Sequence, residues 1–207
     1  MQHLRIGITG GIGVGKSTVC EIFKRIGTPV YDADSRAKFL MTHDLELIQE
    51  IKDAFGWDAY ERNNELNREY LAKIVFNNEH KLKLLNSLVH PRVGKDYEQW
   101  TLENREQPYS IKEAALLFEA KSYLQLHKVI VVTCPINIRI ERIMKRDHVK
   151  REDVLKRINN QMTDKERLAL ADYIILNDGR KSLIEQTLDI HHQILELRDK
   201  EAVPLKS

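Results

Sequence analysis

Leu4-Arg5-Ile6-Gly7-Ile8-Thr9-Gly10-Gly11-Ile12-Gly13-Val14-Gly15-Lys16-Ser17-Thr18 is the stretch that decides the fold. Residues 4–9 are short, β-prone and mostly apolar, which predicts a buried strand. Residues 10–17 satisfy the pattern G-x-x-x-x-G-K-[ST], and each position has a chemical reason. The glycines let the loop curl so that successive backbone N–H groups point at phosphate oxygens. The helix that follows presents its positive N-terminus to the same anion. Lys16 reaches the β- and γ-phosphates, and the Ser17 hydroxyl coordinates Mg²⁺. A glycine-rich turn with a solvated lysine is the alternative. The match, however, follows a strand and opens a helix, as the mechanism demands, so ATP and Mg²⁺ are the expected cofactors.

Outward from the loop, residues 16–26 read as a helix with Val19, Ile22, Phe23 and Ile26 on one face, ended by Gly27-Thr28-Pro29. Val30-Tyr31 reads as a second strand, stopped by Asp32-Ala33-Asp34-Ser35. Residues 35–105 carry apolar residues at helical spacing and no convincing strand, with a turn expected at Asn63-Asn64. Further strands are expected at 109–117, 128–133 and 173–176. A basic helical segment runs from Pro135 to Met162. Thr163 with Glu166, and Ser182 with Glu185, have capping-box spacing. The tail beyond Lys200 is expected to fray.

Strands alternating with helices imply an α/β fold, a three-layer P-loop core around a parallel sheet of about five strands. The core is assigned to about 1–34 and 108–207, with a helical acceptor-binding insertion over 35–107 and a helical lid over 139–162.

The chain has 207 residues, of which 42% are hydrophobic and 31% charged, with a formal net charge of +2. That balance gives no global basic field for nucleic acid. Cys20 and Cys134 are the only cysteines, too few for a disulfide framework, and both stand in apolar contexts. No stretch resembles a signal peptide or a membrane span, so a cytoplasmic protein is expected.

Other phosphate-loop classes fit poorly. A GTPase needs a base-reading N-K-x-D, which is absent, and Asp53-Ala54-Phe55-Gly56 ends a helical stretch. A motor ATPase needs an apolar strand ending in an acid, and the strand at 129–133 lacks one. Glu113 stands inside the other candidate strand, as a strand-end carboxylate or as the holder of a Mg²⁺-bound water. A small-molecule kinase needs an acceptor-orienting group and mobile arginines. Asp32 and Asp34 sit where open α/β sheets place ligands. They either orient an acceptor hydroxyl or serve as turn and N-cap residues. Arg139, Arg142 and Arg146 share a helix face, which is either solvated or part of a phosphate-closing lid.

The chain resembles the dephospho-coenzyme A kinase family over nearly its whole length. The resemblance is carried by the loop from Thr9 to Thr18, Asp32-Ala33-Asp34, Leu85-Asn86 with His90-Pro91, and Leu116-Leu117-Phe118-Glu119. Arg146-Asp147, Gln161 with Arg167, Ala171-Asp172 and Asn177-Asp178-Gly179 complete the set. It implies ATP-dependent phosphorylation of the ribose 3′-hydroxyl of dephospho-coenzyme A. It also implies that Asp34, with Lys16 and Arg142, carries the chemistry, with Asp32 a neighbouring participant. Gly11, Ile12, Gly13, Val14, Gly15, Lys16, Ser17 and Thr18 then hold the nucleotide. Arg142, Arg146, Asn177 and Gly179 face ATP, and Asn86, His90 and Leu117 line the acceptor pocket. The metal is left to Ser17, with Asp32 and Glu113. His90 as a cap before Pro91, and Leu117 as plain core, are the alternatives. Val14 and Ala115 depart from the family pattern, which has a small polar residue and a proline there. A nucleotide or nucleoside kinase and a regulatory nucleotide-binding module are the competing functions.

Lys16→Ala is expected to abolish turnover and weaken ATP binding while leaving the fold intact. Calorimetry on the folded variant checks this, and wild-type ATP affinity would remove the phosphate-loop assignment.

Overall fold

In a computed structural model, which describes residues 2–62, 65–75, 78–200 and 202–206, β1 (Leu4–Thr9) is bonded on both sides. The turn expected at Asn63-Asn64 lies outside the described residues. The other strands are β2 (Val30–Asp32), β3 (Tyr109–Glu113), β4 (Lys128–Thr133) and β5 (Tyr173–Leu176). All pair in parallel, in the order β2-β3-β1-β4-β5. Helices α1 (Lys16–Arg25), α2 (Ala33–His43), α3 (Leu45–Phe55), α4 (Arg68–Val75) and α5 (Glu79–Glu103) precede β3 or flank β2. Helices α6 (Ile136–Asp147), α7 (Arg151–Asn159), α8 (Asp164–Ala169) and α9 (Leu183–Lys200) follow β4.

A parallel sheet must be covered on both faces. On one face Leu4, Ile6 and Ile8 of β1, none with any exposure, pack with Val19, Cys20 and Phe23 of α1 and Ile190 and Ile194 of α9. Residue 7 points the other way, as strand alternation requires. A Cβ there would stand 2.7 Å from both Leu117 Cδ2 and Leu126 Cδ1, so only glycine leaves room for the layer over this face. These three layers form a unit of residues 1–32 and 103–207; residues 33–102 form a second compact unit.

The second unit is helical, and its described residues show strand-like pairing only as an isolated bridge between Tyr60 and Leu66. Asp44 caps α3 by accepting the Leu47 N–H at 3.1 Å. Arg92 of α5 pairs with Asp44, Glu46 and Glu50, and Arg36 of α2 donates from Nε to Asp96 at 2.9 Å.

Three expectations need correction. β3 stops at Glu113 instead of running to 117: the Ala114 N–H to the Ile8 carbonyl is the last rung of the ladder, residues 115–120 are turns, and Leu117 is buried in the core. α2 starts at Ala33, two residues early, which makes Asp34 a first-turn residue. The tail does not fray throughout. The Gln2 amide exchanges two hydrogen bonds with the Val203 backbone, at 3.0 and 3.1 Å, and Lys206 pairs with Asp172 at 2.7 Å. Pattern reading missed this because one apolar residue, Val203, does the docking. The capping box at Thr163 and Glu166 forms in full, and Ser182 Oγ accepts the Glu185 N–H at 3.3 Å. Among the described residues no helix is long and apolar enough to cross a membrane.

His127 is 5% exposed, and its Nδ1 accepts the Arg5 N–H at 2.8 Å, so the ring must be neutral. Burial, then the Arg5 charge, lowers its pKa below 6.5. Burial lowers His3 as well, whose Nε2 accepts from Ser110 Oγ at 2.8 Å. A base with a lowered folded pKa favours the unfolded chain when protonated. Stability is therefore full above about pH 6.5 and is lost as the pH falls from 6.5 through the folded values. Urea midpoints between about pH 7.5 and 5 check this; His127→Gln should flatten the slope.

Candidate functional site

Thr9 ends β1 and Lys16 begins α1, so the chain must reverse within six residues. Gly13 and Gly15 make the turn at φ 79° and 93°, values costly for any residue with a Cβ. Gly15 is the N-cap of α1, yet no side chain caps the helix and its first turn contains no acid. Either device would satisfy or neutralise a helix N-terminus from within the chain. Here the first-turn N–H groups and the positive end of the dipole are left for an external anion, which fits a triphosphate. Lys16 Nζ donates to the Gly10 carbonyl at 2.9 Å, folding its charge back over the loop. Ser17 and Thr18 are exposed. Val14 is fully buried in the core cluster, so an apolar residue suits this position.

Two side chains from other elements brace the loop. Asn177, just beyond β5, is 8% exposed, and its Nδ2 donates to the Val14 carbonyl at 2.8 Å. A Cβ on Gly15 would collide with that amide. Asn177 Oδ1 accepts from Arg142 Nη2 at 3.2 Å, while Arg142 Nη1 points at Cys134 Sγ at 3.4 Å. Gly179 closes the turn after β5 at φ 81°.

The arginines expected on one face of α6 have three different environments. Arg139 is 2% exposed and bonded to Ile12 and Asp164. Arg142 is half-buried beside Asn177. Arg146 is exposed and donates from Nε to Asp147 at 2.7 Å, an aspartate that also receives Arg157. Those bonds, first the one from Arg146, hold the Asp147 carboxyl below the usual range. Sequence reading underrated Arg139, Arg167 and Gln161, because a charged or amide side chain gives no sign of burial. The only hint is the i, i+3 spacing of Asp164 and Arg167 inside a capped helix.

Asp32 and Glu113 are register partners at the C-terminal ends of β2 and β3, and Glu113 is also level with Ile8 of β1. The Cys20 thiol of α1 donates to the Glu113 carboxylate; burial and that charge push the thiol pKa up. Among the described residues no three His, Cys, Asp or Glu side chains form a metal cage. A Mg²⁺ site needs none, since one or two carboxylates, waters and phosphate oxygens suffice.

In the 33–102 unit, Asp34 is exposed in the first turn of α2. Asn86 and His90 lie four residues apart on α5, on one helix face. Pro91 is inside that helix, so His90 caps nothing. Leu117, expected in the acceptor pocket, is instead wholly buried against Gly7, and its side chain serves the core.

Residues 4–182 match the family model described as dephospho-CoA kinase. The dephospho-CoA kinase of Chlorobium chlorochromatii is 36% identical, with 93% of this chain and 94% of that protein covered. The dephospho-CoA kinase of Bacteroides fragilis (strain YCH46) is 33% identical, with 90% and 91% covered. A solved protein of Thermus thermophilus superposes with a TM-score of 0.81 at 32% identity, covering 98% of this chain and 100% of that one. The dephospho-CoA kinase from Campylobacter jejuni follows with a TM-score of 0.69 at 29% identity, covering 93% and 97%.

Proposed function

The chain belongs to the dephospho-CoA kinase family, and from that premise we propose that its residues move the γ-phosphoryl of ATP onto the ribose 3′-hydroxyl of dephospho-coenzyme A. The observation that carries this reading is the uncapped N-terminus of α1 behind residues 10–17, in a chain matched over 4–182. The N–H groups around Gly13 to Thr18 take the phosphate oxygens of ATP. Lys16 exchanges the Gly10 carbonyl for the β- and γ-phosphates, where its charge is worth more. When bound, Mg²⁺ would neutralise phosphate charge; Ser17 would hold it, with Asp32 and Glu113 as the neighbouring carboxylates.

Arg142 is suited to the phosphoryl in flight. Its Nη1 rests on a thiol sulfur, a weak acceptor that a phosphate oxygen readily replaces. Arg146 takes the nucleotide from the exposed end of the same helix, and the turn from Asn177 to Gly179 flanks the base. Asn86 and His90 contribute to acceptor binding from one face of α5; Leu117 contributes through its backbone at most. Asp34 orients the acceptor hydroxyl. Transfer through a loose transition state needs little proton removal beforehand, so orientation is its main task. We assign the reaction to the cytoplasm, without nucleic acid or membrane partners.

With ATP and Mg²⁺, dephospho-coenzyme A is expected to gain one phosphate on the ribose 3′ position, read by mass spectrometry. Rapid phosphorylation of AMP or CMP with no coenzyme A formed would identify a nucleotide kinase instead.

Asp34→Asn keeps size and loses the charge and the basic oxygen. It is expected to lower kcat by about 10²–10⁴-fold with ATP affinity nearly unchanged, and Asp32→Asn to do less. Saturating kinetics on both variants check this; a near wild-type kcat for Asp34→Asn would reduce that residue to a first-turn charge on α2.

A further inference from the structure

Ile12 is held from outside the phosphate loop at three points, all by residues 139–161. Its N–H donates to Gln161 Oε1 at 2.9 Å. Its carbonyl accepts from Arg139 Nε at 3.0 Å. Its side chain packs on the small apolar cluster of Ile140, Ile143 and Val154.

Arg139 is itself fixed. Its Nη1 donates to Asp164 Oδ2 at 2.7 Å. The other oxygen of Asp164 receives Arg167 at 3.3 Å, and Arg167 reaches Glu119 at 3.2 Å. Arg167 is 1% exposed, and its Nε is buried without a hydrogen-bond partner. Two guanidiniums and two carboxylates leave this group neutral, so it acts on the loop by shape. The Arg139 guanidinium lies so close behind Gly11 that a Cβ there would collide with it, and Arg167 Nη1 would be 3.3 Å away. Close approach, and not a positive φ, is what requires glycine at this position.

The loop needs such help. Gly10, Gly11, Gly13 and Gly15 are four of its eight residues, and glycine has the most backbone freedom to lose. Its own crossing bond, Val14 N–H to the Gly11 carbonyl, is long at 3.4 Å. Core packing explains the Ile12 side chain. It does not explain why half-buried Gln161 gives up side-chain freedom to meet one loop N–H.

We propose that Gln161 and Arg139 are positioning residues. They lock the peptide groups on either side of Ile12, so that the N–H groups beyond it converge before nucleotide arrives. Neither touches the nucleotide. The proposal rests on the reading of residues 10–17 as the ATP loop.

Gln161→Met keeps length and removes the acceptor, while Gln161→Glu keeps an oxygen. In Gln161→Met the melting temperature should stay within about 3 °C, amide exchange at Ile12 should accelerate, and calorimetric ATP affinity should weaken about three- to tenfold. KM for dephospho-coenzyme A should not move. Gln161→Glu should restore Ile12 protection. Wild-type ATP affinity in Gln161→Met, or equal weakening toward ATP and acceptor with a lower melting temperature, would overturn the proposal. Arg139→Lys offers one nitrogen where Ile12 and Asp164 need two, so it should weaken ATP further; if it fails to fold, the Gln161 pair decides. Calorimetry and exchange need no turnover, so a wild-type enzyme inactive on dephospho-coenzyme A would refute the assigned reaction and leave this test standing.

Discussion

Everything in the site depends on β1 being bonded along both edges by parallel strands. Its partners β3 and β4 lie on opposite sides: β1 continues through α1 to β2 on the β3 side, whereas the chain leaving β3 crosses to β4 on the other side and goes on to β5. A crevice opens where the strand order reverses, and ligands of open α/β sheets bind there. Parallel pairing also brings every strand's C-terminal end to one edge. Register sets Glu113 beside Ile8, Asp32 beside Glu113, and Leu176 beside Thr133. The phosphate loop, two carboxylates, the start of α6 and Asn177 therefore converge although they span most of the chain.

A loop able to wrap phosphates must be free of side chains, and a loop free of side chains does not hold its own shape. The fold resolves this conflict from outside. Val14 is anchored in the core, Asn177 grips the Val14 carbonyl, and Ile12 is gripped by Gln161 and Arg139. Backbone donors fixed in advance need no reorganisation as charge develops, which is where electrostatic catalysis gains most. The first turn of α1, without a side-chain cap or an acid, leaves its N–H groups and the positive end of its dipole to an anion bound in the loop.

Much of this was legible beforehand. Five parallel strands were expected, and β1, β4 and β5 have the expected bounds, because buried strands bounded by Gly, Pro and Asp leave a local signature. The capping box at Thr163 was legible for the same reason, as its bonds join residues three apart. Leu117 was not. An apolar run after a strand looks the same whether it extends the strand or turns over the sheet. The docked tail and the depth of Arg139 were equally hidden, since each depends on partners more than twenty residues away.

The sequence by itself determined the nucleotide loop, the α/β class and the family, because these rest on chemistry written in consecutive residues or on local periodicity. Only the tertiary structure decided which polar side chains are buried and what they hold. Arg139, Arg142 and Arg146 have the same side chain at helical spacing, yet one braces the loop, one rests on Asn177 and one binds Asp147 on the surface. Side-chain chemistry sets what a residue is able to bond, but burial and partners are properties of the packed chain.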